Sequence, residues 1–293
     1  MLRTLRCGRF ELPIGRPLIM GIVNITPDSF SGDGVVVLAD SNVSMKRDPV
    51  EAAVARARLQ WEAGADILDL GAESTRPGAR PVSAAEELDR LLPVLEAVRG
   101  WNAPVSIDTY KPEVMQAALE AGADMVNDIN ALKSPGALEI VAASDCGLCL
   151  MHMQGEPRHM QEDPRYDDVV AEVGAFLDER VRACRQQGIA DERLALDPGF
   201  GFGKNLEHNL TLFARLPELG REGLPLLVGL CRKRMLGEII GRPVGERMAA
   251  TLATTVLAAE KGAKIIRVHD VGATRDALAV WAAVRDAGKA ARV

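Results

Sequence analysis

Residues Gly64–Gly71 read GADILDLG, and two later stretches repeat the form: GADMVNDI at Gly122–Ile129 and GAKIIRVHD at Gly262–Asp270. Each opens on a glycine, which can end a helix in the left-handed conformation. Each continues as a short apolar run, suited to a strand buried on both faces of a parallel sheet. Each finishes on polar groups. A helix end, a buried strand and a polar tip together make one unit of a β–α alternation.

Working outward, eight such runs are expected as strands: Leu18–Asn24, Asp66–Gly71, Pro104–Asp108, Asp124–Asp128, Gly147–His152, Arg193–Asp197, Pro225–Cys231 and Lys264–His269. Helical patterns separate them. DPVEAAVARARLQWEAG sets Ala, Val, Leu and Trp on one face and charges on the other. SAAEELDRLLPVLEAVRG opens on Ser83 with Glu86 three residues later, a capping-box spacing. KPEVMQAALEAG carries Pro112 in its first turn, where a missing N–H costs little. Further helices are expected over about 167–188, 205–220, 245–262 and 274–291. Eight β-then-α units predict an α/β fold, the TIM (β/α)8 barrel, with a doubly wound open sheet as the competing arrangement. The opening RTLRCGRFEL reads as a short N-terminal hairpin that plugs the barrel bottom. No linker or low-complexity tract interrupts the chain, so one domain is expected over residues 1–293.

Bulk properties narrow the function. The chain has 293 residues, 47% hydrophobic and 26% charged, as in an ordinary globular protein with an ample core. A net charge of −6 argues against a nucleic-acid surface. No run is long and apolar enough for a signal peptide or a membrane span. Five cysteines in a chain this long do not suggest a disulfide framework, and a cytoplasmic location is expected. The lone C-x-x-C at Cys146 and Cys149 reads as two small residues entering a buried strand. No paired-histidine zinc spacing or G-x-S-x-G nucleophile elbow occurs.

LDPGFGFGKN at Leu196–Asn205 invites a phosphate-loop reading, and its spacing refuses it. The first glycine position of such a loop holds Pro198, and Asn205 stands where Ser or Thr should follow the lysine. In a dinucleotide fingerprint, Lys204 would occupy the third glycine position.

A barrel's chemistry lies at the C-terminal ends of its strands. Those ends read Asn24, Glu73, Asp108, Asn127–Asp128, His152, Asp197, Arg232–Lys233 and Arg267–His269. Asp108, Asn127 and Asp197 form an acceptor-rich half suited to a flat heterocycle with several N–H donors. Lys233 adds a cation. Asn24, Arg76, Arg267 and His269 suit an anion or a hydrated magnesium complex. Each has a plainer reading alone: Asp108 as a helix cap, Asn127–Asp128 as a turn, 232–234 as a solvated charge run, Arg267 as a structural ion pair, His269 as a satisfied rim histidine. Their joint placement favours a two-sided site. Two long loops, 25–48 and 72–83, lie at the same face.

The segments GIVNITPDSFS, GADILDLGAESTRPGA, SIDTYKPEV, GADMVNDI, LDPGFGFGKN, GLCRKRML and IIRVHDV resemble, in order and spacing, those of dihydropteroate synthase, over about 18–271. The resemblance implies a homodimeric TIM barrel of folate biosynthesis. Such an enzyme joins 6-hydroxymethyl-7,8-dihydropterin diphosphate to p-aminobenzoate with magnesium, releases pyrophosphate, and is inhibited by sulfonamides. It implies that Asp108, Asn127, Asp197 and Lys233 hold the pterin, with Met151, Phe200 and Gly201 lining its pocket. Asn24 would bind magnesium or the diphosphate, and Arg267 and His269 the diphosphate. Thr75 and Arg76 would lie by the diphosphate and the aminobenzoate. Asp197, Lys233, Asp108 and Arg267 would carry the catalysis, and an SN1-like displacement is expected. The glycines of the 199–203 loop would let backbone approach flat substrates, with Phe200 and Phe202 as walls. Two positions depart from the family pattern: SFSGDGV replaces SFSDGG, leaving Asp33 to supply the acid, and Cys231 replaces a serine. The remaining alternatives are a pterin-binding methyltransferase-type barrel and a non-catalytic pterin-binding paralogue.

Overall fold

The computed structural model describes residues 3–26, 48–74, 80–156, 159–220 and 223–290. All eight expected strands form, each within a few residues of its sequence bounds. They are β3 (Leu18–Asn24), β4 (Ile67–Gly71), β5 (Val105–Asp108), β6 (Met125–Asp128), β7 (Gly147–Met151), β8 (Leu194–Asp197), β9 (Leu227–Val228) and β10 (Ile265–Val268). Every neighbouring pair is parallel, in the order β8-β7-β6-β5-β4-β3-β10-β9. A bridge between Leu196 and Leu226 brings β8 back to β9 and closes the sheet. The fold is a TIM barrel, and the open-sheet alternative falls.

The ring of helices comprises α1 (Pro49–Glu62), α2 (Ala84–Val98), α3 (Pro112–Glu120), α4 (Ala137–Ala142), α5 (Val169–Gln186), α6 (Leu206–Ala214), α7 (Arg234–Ile240), α8 (Met248–Glu260) and α9 (Val271–Ala290). Gly64, Gly122 and Gly262 have φ of 97°, 100° and 94°, the left-handed helix exit expected of the repeat. Ser83 Oγ accepts from Glu86 N at 3.2 Å, as expected of a cap. The Glu86 carboxylate turns to Arg90 and Arg80, so the box is one-sided. Helices α4 and α7 have no sequence forecast. At six and seven residues they span under two turns, too short for a 3.6-residue period to declare itself.

The N-terminal hairpin, β1 (Thr4–Cys7) paired antiparallel with β2 (Phe10–Pro13), is present. Its Leu5 and Cys7 are fully buried against inward residues of the strand starts, including Met20, Ile67, Met125, Cys149 and Ile265. Burying a leucine is worth about 2 kcal/mol, which holds the plug against the barrel floor. A Cβ on Gly147 would stand 2.8 Å from Cys7 Sγ, so the hairpin needs that glycine to seat. Cys146 packs in the shell between strands and helices, and Cys149 among the interior residues above the plug. Three residues apart on a strand, they face opposite sides and cannot pair. All five cysteines are free and buried.

Candidate active site

Alternation along each strand decides what enters the barrel. Above the apolar floor the inward positions are Asp69 on β4, Asp108 on β5, Asn127 on β6, Met151 on β7, Asp197 on β8 and Arg267 on β10. The register sets Asp108 beside Asn127 and Met151 beside Asp197. The expected acceptor half therefore assembles. At its centre Arg267 donates from Nε to Asp69 Oδ2 and from Nη2 to Asp108 Oδ2, both at 2.6 Å. Asn127 Nδ2 lies 3.4 Å from the same Asp69 oxygen. The cationic and acceptor halves, separate in the sequence reading, meet in this ion pair.

Burial dominates the electrostatics. It pushes the Asp108 carboxyl above its ordinary range; Arg267 opposes the rise, and Asp69 adds to it. Burial works against the Arg267 charge as well, yet Asp69 and Asp108 outweigh it and hold the guanidinium firmly cationic. Asp197 is pushed up by burial, opposed by Lys233 and by the Gly199 N–H. Lys233 is pushed down to about 8 by burial, with Asp197 opposing. The Lys233 ammonium donates to the Phe200 carbonyl and sits 4.8 Å over the Phe202 ring.

The glycine loop has a structural cause of its own. Asp197 Oδ1 accepts from Gly199 N at 2.7 Å. Gly199, Gly201 and Gly203 all have positive φ. A Cβ on Gly199 would lie 1.9 Å from the His152 carbonyl oxygen, and one on Gly203 2.2 Å from that of Gln154. Those two glycines admit the neighbouring loop backbone, where the sequence alone suggests a flat substrate. Only at Gly201, where a Cβ would meet Lys233 Cδ at 3.4 Å, does the loop meet the candidate site. Lys204 is buried and turned inward. Its Nζ donates to Gly199 O at 2.9 Å and Phe202 O at 3.1 Å, and lies 2.9 Å from His152 Nδ1. The lysine that suggested a phosphate loop is the staple of the turn. Burial and Lys204 push His152 down to about 2, so this strand-end histidine is a neutral structural group.

The Phe200 ring also departs from expectation. It is fully buried and packs edge-to-face on Phe213 at 5.8 Å, in the shell outside the strands. Its carbonyl, and not its ring, serves the site. Asp128 accepts from Asn130 N and Leu132 N at 2.7 Å, the turn-forming alternative.

On the other side, His269 Nδ1 lies 3.2 Å from Cys231 Sγ, and the His269 carbonyl accepts from Arg56 and Gln60 at 3.0 and 2.8 Å. The basic run 232–234 divides three ways. Arg232, at φ 56°, pairs with Asp270 at 2.9 Å; Lys233 enters the site; Arg234 pairs with Glu238 at 2.6 Å. Asn24 ends β3 beside Gly71, where a Cβ would come within 3.9 Å of Asn24 Oδ1 and 3.7 Å of Asp108 Oδ2. Among the described residues no group of three His, Cys, Asp or Glu is placed to hold a metal ion. One amide oxygen beside an open glycine fits an ion that brings its other ligands with it, such as magnesium on a diphosphate. Thr75, Arg76 and Asp33 lie outside the described residues.

Sequence reasoning misses Asp69 altogether, and it places Glu73 at a strand end without its contacts. Asp69 is a charge at an inward position of an apolar strand, and that period-two signal could have found it. Glu73 accepts from Val82 N at 3.0 Å and pairs with Lys111 at 2.7 Å, so one carboxylate joins both ends of the 74–82 segment to α3. Lys111 also pairs with the buried Glu87 of α2. No sequence spacing announces that triad.

The family model for pterin binding enzymes matches residues 20–269. Dihydropteroate synthase of Escherichia coli (strain K12) is 49% identical over 271 residues, covering 92% of each chain. The solved structure of Xanthomonas albilineans dihydropteroate synthase with 4-aminobenzoic acid superposes with a TM-score of 0.88 at 49% identity, covering 97% of this chain and 99% of that one. That of Burkholderia cenocepacia dihydropteroate synthase with 7,8-dihydropteroate gives 0.86 at 49% identity, covering 98% of both.

Proposed function

The chain belongs to the dihydropteroate synthase family of pterin-binding enzymes, and from that premise we propose how its own residues perform the reaction. The enzyme joins 6-hydroxymethyl-7,8-dihydropterin diphosphate to p-aminobenzoate, forming 7,8-dihydropteroate and pyrophosphate. The observation that carries the assignment to these residues is the barrel centre, where Asp108, Asn127, Asp197 and Lys233 surround a guanidinium held between two carboxylates.

The pterin edge presents paired N–H donors, which Asp108 and Asp197 accept and Asn127 complements. Lys233 donates to a ring nitrogen or carbonyl. Arg267 and His269 meet the diphosphate. Asn24 would hold magnesium through its amide oxygen, and the ion would neutralise part of the diphosphate charge. As the C–O bond at the pterin methylene breaks, positive charge spreads into the ring. The Asp108 and Asp197 carboxylates stabilise that charge from fixed positions at the strand ends, so an SN1-like displacement is favoured. The arylamine attacks without a strong base. Sulfonamides, which resemble p-aminobenzoate, compete for its place.

A homodimer through the α7–α9 side accounts for the exposed Ile239, Leu257, Val280 and Val284. A cytoplasmic enzyme fits five free, buried cysteines. No described helix is long and apolar enough to cross a membrane.

Purified protein with the pterin diphosphate and magnesium is expected to release pyrophosphate only when p-aminobenzoate is added, with dihydropteroate identified by mass. Tight pterin binding without release would instead identify a binding paralogue. The pH dependence of kcat/KM for the pterin diphosphate is expected to be bell-shaped. Asp108 must be ionised to accept, and its raised pKa sets a rising limb above the ordinary carboxylate range. Lys233 must be cationic, and its charge is lost as pH rises through about 8, which sets the falling limb. A flat profile from about pH 6 to 9 would contradict both assignments.

A further inference from the structure

Asp69 lies inward on β4 with no solvent exposure, and no step of the reaction derived above uses it. It nevertheless touches two groups assigned to the substrate. Its Oδ2 accepts from Arg267 Nε at 2.6 Å and lies 3.4 Å from Asn127 Nδ2. The far end of the same guanidinium reaches Asp108 at 2.6 Å. Its other oxygen, Oδ1, and the hydroxyl of its register partner Ser106 are buried without a hydrogen-bond partner among the described residues. A buried carboxylate left partly unsatisfied is costly, and an apolar residue would fill this strand position without that cost. The two partners of Arg267 also differ in kind. Asp69 is sealed in the barrel, whereas Asp108 is partly exposed and is the group a pterin must engage.

We propose that Asp69 is a positioning residue for the transfer reaction: it anchors Arg267 by Nε, so that the Nη end can leave Asp108 for the diphosphate while the guanidinium stays in place. The incoming pterin donors take over the Asp108 carboxylate, and the released Nη end turns to the anion that arrives with them. Pterin recognition and diphosphate recognition are thereby coupled through one fixed pivot. This inference rests on the functional reading above.

Asp69→Asn tests it. The variant is expected to lower kcat/KM for the pterin diphosphate about 100-fold, the scale of a small misplacement of a catalytic group, with KM for p-aminobenzoate unchanged. Its pH profile supplies the readout that a merely structural role would not move. Asp108 is faced by Arg267 from β10, Asp69 from β4, Glu87 from α2, Asp128 from β6, and Lys233 from the segment after β9. Removing the Asp69 charge relieves repulsion and leaves Arg267 wholly to Asp108. Both effects favour ionised Asp108, so the rising limb moves to lower pH. Asp69→Glu keeps the charge but displaces the anchor; it is expected to keep the limb and still lose kcat/KM, and it serves alone if Asp69→Asn does not fold. An unmoved limb in Asp69→Asn, or wild-type kcat/KM in Asp69→Glu, overturns the proposal. Wild-type enzyme assayed beside them separates the two failures, since absence of p-aminobenzoate-dependent release there would refute the functional reading itself.

Discussion

Asp197→Asn is expected to lower kcat/KM for the pterin diphosphate by about 1,000-fold, the upper range for loss of one preorganised electrostatic group. The substitution is isosteric, and the new amide oxygen can still accept from Gly199 N–H, so the loop is expected to hold its shape. What disappears is charge. Asp197 opposes the burial that pushes Lys233 down to about 8. Without it, Lys233 loses its proton at lower pH, and the falling limb of the kcat/KM profile moves to lower pH in the same variant. The amide also offers donors toward pterin donors, a mismatch that leaves buried polar groups unpaired. Steady-state kinetics from about pH 6 to 9 on wild type and variant check both effects. Turnover at the wild-type level, or an unmoved falling limb, would sink the role given to Asp197.

Gly199→Ala is expected to destabilise the protein by about 3 kcal/mol or more, in the range of severe core changes. Two penalties combine. At φ 67° an alanine sits in the left-handed region, which costs about 1–2 kcal/mol. Its Cβ would also lie 1.9 Å from the His152 carbonyl oxygen and 3.0 Å from the carbonyl carbon, both backbone atoms at the end of β7. The loop cannot lift away freely, because Gly199 O accepts from the buried Lys204 Nζ. Gly201→Ala is the control. It carries the same φ penalty, but its Cβ would meet only Lys233 Cδ, at 3.4 Å. Urea unfolding should therefore place Gly201→Ala between wild type and Gly199→Ala. Equal midpoints for the two variants would refute the steric explanation of the glycines.

The barrel is legible because its signals are local. The apolar run of each strand, the glycine at each helix exit and Pro112 at a helix start act within a few residues of themselves, so spacing alone reveals them. The strand ends are legible for the same reason, and once a barrel is inferred they become one site. Short helices such as α7 escape because two turns of sequence carry no period. Phe200 escapes because alternating glycines with positive φ twist the backbone out of any simple in–out register, and the ring turns into the shell.

By itself, then, the sequence determined the order of elements, the residues that end the strands, and the family. Only the tertiary structure decided the partners. Asp69 and Arg267 are 198 residues apart, Lys111 and Glu73 are 38, and Lys204 and His152 are 52. Whether a buried polar group is a ligand, a pivot or a staple depends on which group barrel closure brings against it. Burial pushes Asp108 and Lys204 toward neutrality, and the groups that oppose it are chosen by barrel closure, which no local spacing encodes.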